Sequence, residues 1–424
     1  MLLNCLYQIL WQIAPPFLRR YLRRRAKLAP DYANHWTERF GHPYPHPLKQ
    51  AIWIHVVSVG ETRAAIPLIH QLQQLFPHAP LLMTQTTPTG RATVKHLFPQ
   101  AQCRYLPYDK KSWVKQFLQD HQPRFGVIME TEIWPNLYTA CAQKNIPLFL
   151  ANARLSEKSL RGYRKIRTLV APALSSLSGC FAQTDADAQR LKTIGAAHIE
   201  VCGNIKYDIT VPPPMHELAQ SFKYRIGNRP VVVCASTRFY HNQDEAHLLL
   251  DAWAKQETGD ILLVIIPRHP ERFDTTFEYA KKLNFSCQKR SDNQTISAKT
   301  QIWIGDSIGE IFAYYQCADI AFVGGSLVDS GCHNIIEPMV CHLPTLFGPS
   351  TYNFADVAAK AITADAAQQV QSADDWATTV LDLLKNPQQR EEMSNCASRF
   401  IQQHRGASKK IALNIAQKIN QKTD

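Results

Sequence analysis

The sequence predicts an α/β protein of two doubly wound, parallel-sheet domains facing a common cleft. Three observations carry that prediction. Short apolar runs alternate with helix-patterned segments through both halves of the chain, the pattern of strands covered by helices on both faces. The alternation breaks once, just after Asp208, where Ile209-Thr-Val-Pro212-Pro213-Pro214 reads as a stiff linker that cannot be helix interior. The 424 residues, 45% hydrophobic and 19% charged, suit two globular domains of ordinary size.

The N-terminal segment, residues 1–28, stands apart from both domains. It opens with an apolar run to Leu18 interrupted by Pro15 and Pro16. Arg19, Arg20, Arg23, Arg24, Arg25 and Lys27 follow, with no acid before Asp31, and supply half of the net charge of +12. Leu2, Leu3, Leu6, Tyr7, Leu10, Trp11 and Ile13 suit an interfacial anchor, and the cations suit anionic lipid on a cytoplasmic membrane face. The run is short for a spanning helix of about 20 residues. Whether it spans or lies flat stays open. It lacks the small-residue cleavage site of a removed signal peptide. The basic cluster also lacks the interleaved aromatics of a nucleic-acid module, so no nucleic-acid partner is expected.

The first domain is expected over residues 29–210. Its strands are Ala51–Val59, Leu81–Thr84, Phe125–Met129, Pro147–Ala151 and Gly179–Gln183. Helices follow from Glu61 to Leu75, from Gly90 to Leu97 and from Ile133 to Lys144. The second domain, residues 211–424, has strands Val231–Ala235, Ile261–Pro267, Gln301–Ile304, Ile320–Val323 and Pro344–Phe347. Residues 377–422 read as helical. Ligands are expected at the carboxyl ends of the strands. Eleven scattered cysteines without a CxxC pair suggest reduced thiols and no zinc site.

Four clusters could carry chemistry. In the first, His55-Val-Val-Ser58-Val59-Gly60-Glu61, a carboxylate follows a strand at the head of a helix, whose N-terminus is expected to keep Glu61 ionised as a base. Taken alone, Glu61 is equally well a helix-start charge and His55 a satisfied core residue. The second is Glu130-Thr131-Glu132-Ile133-Trp134-Pro135-Asn136, where Glu130 lies nearer the strand end than Glu132. The third joins Asn152-Ala-Arg154-Leu-Ser156 to Gly203-Asn204-Ile205-Lys206-Tyr207-Asp208. There Lys206 could offset charge developing near the domain junction.

The fourth cluster fills the C-terminal half. Pro267-Arg268-His269 ends one strand, and Gly305-Asp306-Ser307-Ile308-Gly309-Glu310 follows another. Gly324, Gly325 and Ser326 end a third, before Asn334-Ile335-Ile336-Glu337. Glycine backbones and an arginine suit phosphate, and a carboxylate suits sugar hydroxyls. This composition points to a nucleotide sugar. No GxGxxG follows a strand and no GxxxxGK[ST] occurs, which disfavours dinucleotide and P-loop readings. No HExxH occurs, and no cluster in the sequence is read as a metal site.

Together these segments resemble the 3-deoxy-D-manno-octulosonic acid (Kdo) transferases of lipopolysaccharide synthesis. The resemblance rests on SVGET at 58–62, TPTG at 87–90, LPYD at 106–109, METEIWPN at 129–136, ANARLS at 151–156 and GNIKYD at 203–208. It continues through PRHPERF at 267–273, GDSIGE at 305–310, FVGGSLV at 322–328, HNIIEP at 333–338 and NF at 353–354. The resemblance implies a glycosyltransferase-B fold behind a membrane-anchor helix, at the cytoplasmic face of the inner membrane. It implies inverting, metal-independent transfer of Kdo from CMP-Kdo to the tetraacyl disaccharide bisphosphate lipid A precursor, with no cofactor. Glu61 would then be the base, and Glu130 and Lys206 would stabilise the transition state. Pro267, Arg268, Ile308, Gly309, Glu310, Asn334 and Glu337 would bind CMP, alongside Gly324, Gly325, Ser326, Ile335 and Ile336. Two positions depart from the family pattern. Cys332 stands in a usual Gly-Gly-His-Asn, where a positive φ would strain it. Ser236-Thr237-Arg238, followed by Phe239 to Gln243 and then Asp244-Glu245, replaces a usual Ser-Thr-His-x-Gly-Glu-Glu.

Overall fold

The computed structural model describes residues 2–421; Met1 of the expected anchor and Lys422 of the expected last helix lie outside the described residues. The chain divides into two units, Met1–Asp208 with Arg405–Asp424, and Ile209–His404.

The first unit is built on seven strands: β1 (Ile52–His55), β2 (Leu81–Gln85), β3 (Gln102–Tyr105), β4 (Phe125–Met129), β5 (Leu148–Ala153), β6 (Gly179–Ala182) and β7 (Ile199–Val201). They pair in parallel in the order β3-β2-β1-β4-β5-β6-β7. Strands β1, β2, β4, β5 and β6 are buried throughout, which is why their sequences are continuous apolar runs. The order reverses between β1 and β4, and this is where an open α/β sheet leaves room for a ligand beyond its carboxyl ends.

The second unit carries β8 (Val231–Thr237), β9 (Phe239–Tyr240), β10 (Gln243–Asp244), β11 (Leu262–Pro267), β12 (Cys287–Lys289), β13 (Ile302–Ile304), β14 (Ile320–Val323), β15 (Thr345–Phe347) and β16 (Gln368–Gln369). Seven of them form a parallel sheet in the order β12-β13-β11-β8-β14-β15-β16, and β9 and β10 form a separate antiparallel hairpin. Here the reversal lies between β8 and β14.

Several expectations are corrected. The run expected as one strand to Val59 leaves the sheet after His55, because Ser58 caps a helix, Val59–Leu75, by accepting from the Glu61 N–H. Pro213 and Pro214 are not linker but the first turn of a helix, Pro213–Ile226, where a missing N–H costs nothing. The second domain does not run to the C-terminus. The chain returns at Arg405 to the first unit, where the helix Ala407–Asn420 buries Ile411, Ala412 and Ile415 against Ala65, Leu68 and Leu72 in one core. Asp208 caps that helix, its two oxygens accepting from Gly406 N and Ser408 N at 2.6 Å each. Cys332 is buried with a negative φ; the left-handed residue is Gly331 at φ 74°, so the cysteine is unstrained.

The N-terminal helix Leu2–Leu28 runs through both prolines. One side seats on the first unit. The Tyr7 hydroxyl donates to Asp109 at 2.8 Å, Gln8 Nε2 donates to Asn136 at 2.7 Å, and Trp11 stacks on Tyr108. Leu22 packs with Tyr32 and Phe40. The opposite side exposes Leu2, Leu6, Ile9, Leu10, Ile13, Phe17 and Tyr21, which recur at helical spacing. Among the described residues no helix is long and apolar enough to cross a membrane.

Candidate active site

In the first unit the reversal point collects three of the expected residues. Glu61 sits in the first turn after β1. Its carboxylate accepts from Val57 N at 2.9 Å and from the Ser58 hydroxyl at 3.1 Å. Those bonds hold its position but do not keep it ionised. Burial, with smaller contributions from the Glu130 and Glu132 charges, pushes its pKa up to about 7. The expected effect of the helix N-terminus is outweighed by desolvation. A carboxylate poised near neutrality is suited to accepting a proton from a hydroxyl.

Glu130 follows β4 directly. Its φ of 58° is left-handed, an uncommon setting for a side-chain-bearing residue. Its N–H bonds Ala151 O at 2.9 Å, which fixes the turn. Lys206 comes from the 3-10 turn Ile205–Asp208 and lies 3.6 Å from Glu130 through Nζ and Oε1. Asn152 at the end of β5, also left-handed, accepts from Ile205 N at 3.1 Å and so sets the turn that presents Lys206. Glu132 instead accepts from Trp134 Nε1 at 3.1 Å. His55 is a buried core residue bonded through Nδ1 to Thr84 Oγ1 at 2.9 Å, and burial lowers its pKa to about 3.

Asp109 and Asn136, from the 106–109 and 129–136 segments, prove to be docking residues. The Asp109 carboxylate accepts from Asn136 N at 2.9 Å and Leu137 N at 2.8 Å as well as from Tyr7. It thereby joins the N-terminal helix to the helix Pro135–Gln143.

In the second unit the expected residues ring the carboxyl ends of β13, β11, β8 and β14. Arg268 follows Pro267 of β11, and its N–H bonds Thr237 O at 2.9 Å. Beyond β13, Ile308 is exposed and Gly309 adopts φ 90°. Glu310 is held by Arg290 through two bonds of 3.1 and 3.2 Å. Asn334 Nδ2 donates to Glu337 at 3.3 Å, while its Oδ1 accepts from Ile336 N at 3.1 Å. Ile335 and Ile336 are wholly buried, so their side chains are core. Ser326 is buried too, with its hydroxyl spent between Val323 O at 2.6 Å and Gly348 N at 2.8 Å.

A residue given no role from sequence organises this site. Glu245 is fully buried. Its carboxylate accepts four backbone N–H groups: Gly325 at 2.6 Å, Leu327 at 2.8 Å, Ser326 at 2.9 Å and Arg238 at 3.1 Å. Burial raises its pKa against the lowering effect of those four bonds. Gly324 must be glycine for another reason, since a Cβ there would come within 2.7 Å of Ser236 O. The altered 239–244 segment is the β9–β10 hairpin, closed by Glu245 N bonding Arg238 O at 2.9 Å. The insertion therefore leaves the Glu245 clamp intact.

Comparison with known proteins identifies the family. The family model for 3-deoxy-D-manno-octulosonic-acid transferase (kdotransferase) matches residues 34–209, and that for glycosyl transferases group 1 matches residues 217–400. The 3-deoxy-D-manno-octulosonic acid transferase of Haemophilus influenzae is 35% identical over 96% of this chain and 96% of its own. That of Bordetella pertussis is 36% identical over 93% of this chain and 94% of its own. The solved UDP-GlcNAc 2-epimerase of Neisseria meningitidis, bound to UDP-GlcNAc, is 15% identical with a TM-score of 0.59, covering 87% of this chain and 100% of its own, and shares the fold alone. The chain is a glycosyltransferase and belongs to the 3-deoxy-D-manno-octulosonic acid transferase family.

Proposed function

We propose that this enzyme moves Kdo from CMP-Kdo to a hydroxyl of the lipid A precursor, releasing CMP with inversion at the anomeric carbon. The relatives' names supply the sugar. The observation that carries the mechanism is Glu61, a carboxylate held by two hydrogen bonds and tuned to about 7 by burial.

The steps follow from the residues. Glu61 takes the proton of the acceptor hydroxyl, which is too weak an acid to attack unaided. The oxygen attacks the anomeric carbon as its bond to the CMP phosphate breaks. Positive charge develops on the sugar ring, as in glycoside hydrolysis, and Glu130 stabilises it. Lys206, 3.6 Å from Glu130, holds that carboxylate in place. The departing phosphate gains negative charge, which Arg268 offsets without a metal or cofactor. The Gly324 and Gly325 amides, expected to help, are already bonded to Ala235 O at 2.8 Å and to Glu245 at 2.6 Å. Pro267, Ile308, Gly309, Asn334 and Glu337 surround the nucleotide, with Glu310 fixed by Arg290.

The N-terminal helix places the enzyme with its lipid substrate. Its exposed apolar side suits the acyl boundary of a membrane, and its arginines suit anionic headgroups at the cytoplasmic face of the inner membrane. It lies in the interface and does not span. In the groove lined by His35, Arg91, Lys95 and Arg104, the two arginines are paired with Glu38 at 2.6 and 3.3 Å, so Lys95 is the cation that suits an acceptor phosphate.

The test is a detergent assay with purified protein, CMP-Kdo and the tetraacyl precursor, read by mass spectrometry of the lipid. A gain of one or more Kdo masses is expected, and the spectrum counts the additions. A folded, CMP-binding enzyme that leaves the lipid unchanged would overturn the proposal.

A further inference from the structure

We propose that Arg238 is a specificity-determining residue that binds the carboxylate of the donor sugar, beside an Arg268 that takes the phosphate. This rests on the ulosonic-acid donor proposed above.

Backbone geometry brings the groups together. Strands β11, β8 and β14 are neighbours in the sheet. Arg268 is the first residue past β11 and Arg238 the first past β8, and the bond from Arg268 N to Thr237 O locks the two strand ends side by side. Gly324 and Gly325 are the first residues past β14; Gly324 presses against the β8 end at Ser236 and Thr237, and Gly325 against Gly331 and His333. His333 N bonds Gly324 O at 3.0 Å, and a Cβ on Gly325 would lie 3.2 Å from His333 Cδ2. Arg238, Arg268 and His333 thus gather at the reversal of the strand order, where α/β sheets bind ligands.

The electrostatics of this point favour an anion with more than one charge. Both arginines, with burial as the larger cause, hold His333 neutral at a pKa of about 3. Arg238 Nε and His333 Nε2 are shut from solvent, and neither has a hydrogen-bond partner among the described residues. The Glu245 carboxylate beneath them is committed to four backbone N–H groups.

An activated 2-keto sugar acid supplies such an anion, because its anomeric carbon bears both a phosphate oxygen and a carboxylate. Arg268 stands on the β13 side, where the 305–310 loop carries the nucleotide candidates, so it meets the phosphate. Arg238 stands on the β14 side, and its planar fork matches a carboxylate bidentately. Donors whose sugar lacks a carboxylate would leave that guanidinium unpaired.

The test compares wild type with Arg238→Gln, Arg238→Lys and Arg268→Gln in the detergent assay. It reads KM for CMP-Kdo, kcat and inhibition by CMP. Arg238→Gln is expected to raise the donor KM by about 10- to 100-fold, the loss of one charge-assisted contact. CMP inhibition should move by less than about threefold, within the scatter of an indirect electrostatic effect. Arg238→Lys should recover part of the donor affinity, and Arg268→Gln should weaken CMP and donor alike. If Arg238→Gln weakens CMP as much as the donor, Arg238 is a phosphate ligand and the assignment fails. It fails equally if neither constant moves. A wild-type enzyme that binds CMP but does not use CMP-Kdo would instead reject the donor reading itself.

Discussion

The Lys206 ammonium lies 3.6 Å from the Glu130 carboxylate, and Glu130 in turn raises the pKa of Glu61. The pair therefore bears on the base as well as on the sugar. Glu130 makes Glu61 harder to ionise, and Lys206 moderates that effect by neutralising Glu130.

Opposite pH shifts follow. Glu61 works only when deprotonated, so kcat/KM should rise with pH through about 7. Glu130→Gln should move that acid limb to lower pH, and Lys206→Ala should move it higher. Limbs that stay put, or move together, would show that the three groups do not interact as described.

Removing the base should separate chemistry from binding. Glu61→Ala is expected to lower transfer by about 10²- to 10⁴-fold while CMP affinity stays at the wild-type level. A variant with intact turnover and lost CMP binding would falsify the role of Glu61.

The same residue should trade activity for stability. A pKa raised from the ordinary carboxylate value to about 7 means the fold disfavours the charged form. Wild-type stability should therefore fall as pH rises from about 4.5 to 7. Glu61→Gln should gain about 1–3 kcal/mol over wild type at pH 8 and nothing below about pH 4.5. Thermal melts at both pH values measure this, and equal melting temperatures at pH 8 would contradict it.

Glu245→Gln tests the buried clamp. An amide keeps one acceptor oxygen but turns an NH₂ toward two of the four N–H groups. A loss of about 3 kcal/mol or more is expected, with weakened CMP binding as the 324–327 loop loosens. An unchanged melting temperature would rule the clamp out.

The exposed side of the N-terminal helix can be tested alone. Leu10→Glu with Phe17→Glu should reduce flotation with vesicles of anionic phospholipid by about 100-fold, since each such side chain contributes about 1.5–3 kcal/mol when buried. Both residues point away from the Asp109 and Tyr108 contacts, so melting temperature should hold. Undiminished flotation would discard the interfacial anchor.

How much was legible depended on where each residue's partners lie. Every interior strand was readable, because a strand buried on both faces has to be an apolar run. Six strands were missed: β3, β7, β12 and β16 are the two edges of each sheet, and β9 and β10 form the separate two-stranded hairpin. Three of the edges are three residues or fewer, and β3, β7, β12 and β16 are all at least partly exposed along their length, so they carry no such pattern. The positions of Glu61, Glu130 and Arg268 at strand ends were readable for the same reason. What Glu61 does electrically was not, since a helix N-terminus is visible in sequence and burial is not. Tyr7 and Trp11 looked like lipid contacts but face protein, because Asp109 and Tyr108 approach from a hundred residues away. Glu245 was invisible as a clamp because three of its four donors lie some eighty residues on.

The helix Ala407–Asn420 has a consequence for how the polypeptide can be divided. A gene fragment ending at Asp208 would encode the seven strands of the first sheet but not Ile411, Ala412 and Ile415, which complete their core. It would also leave Asp208 without the helix it caps. The first unit is thus assembled from two distant stretches of one message. Its autonomous form is a fragment-complementation pair, the long N-terminal piece together with a separate peptide from Arg405 onward, or a permuted gene that splices the two.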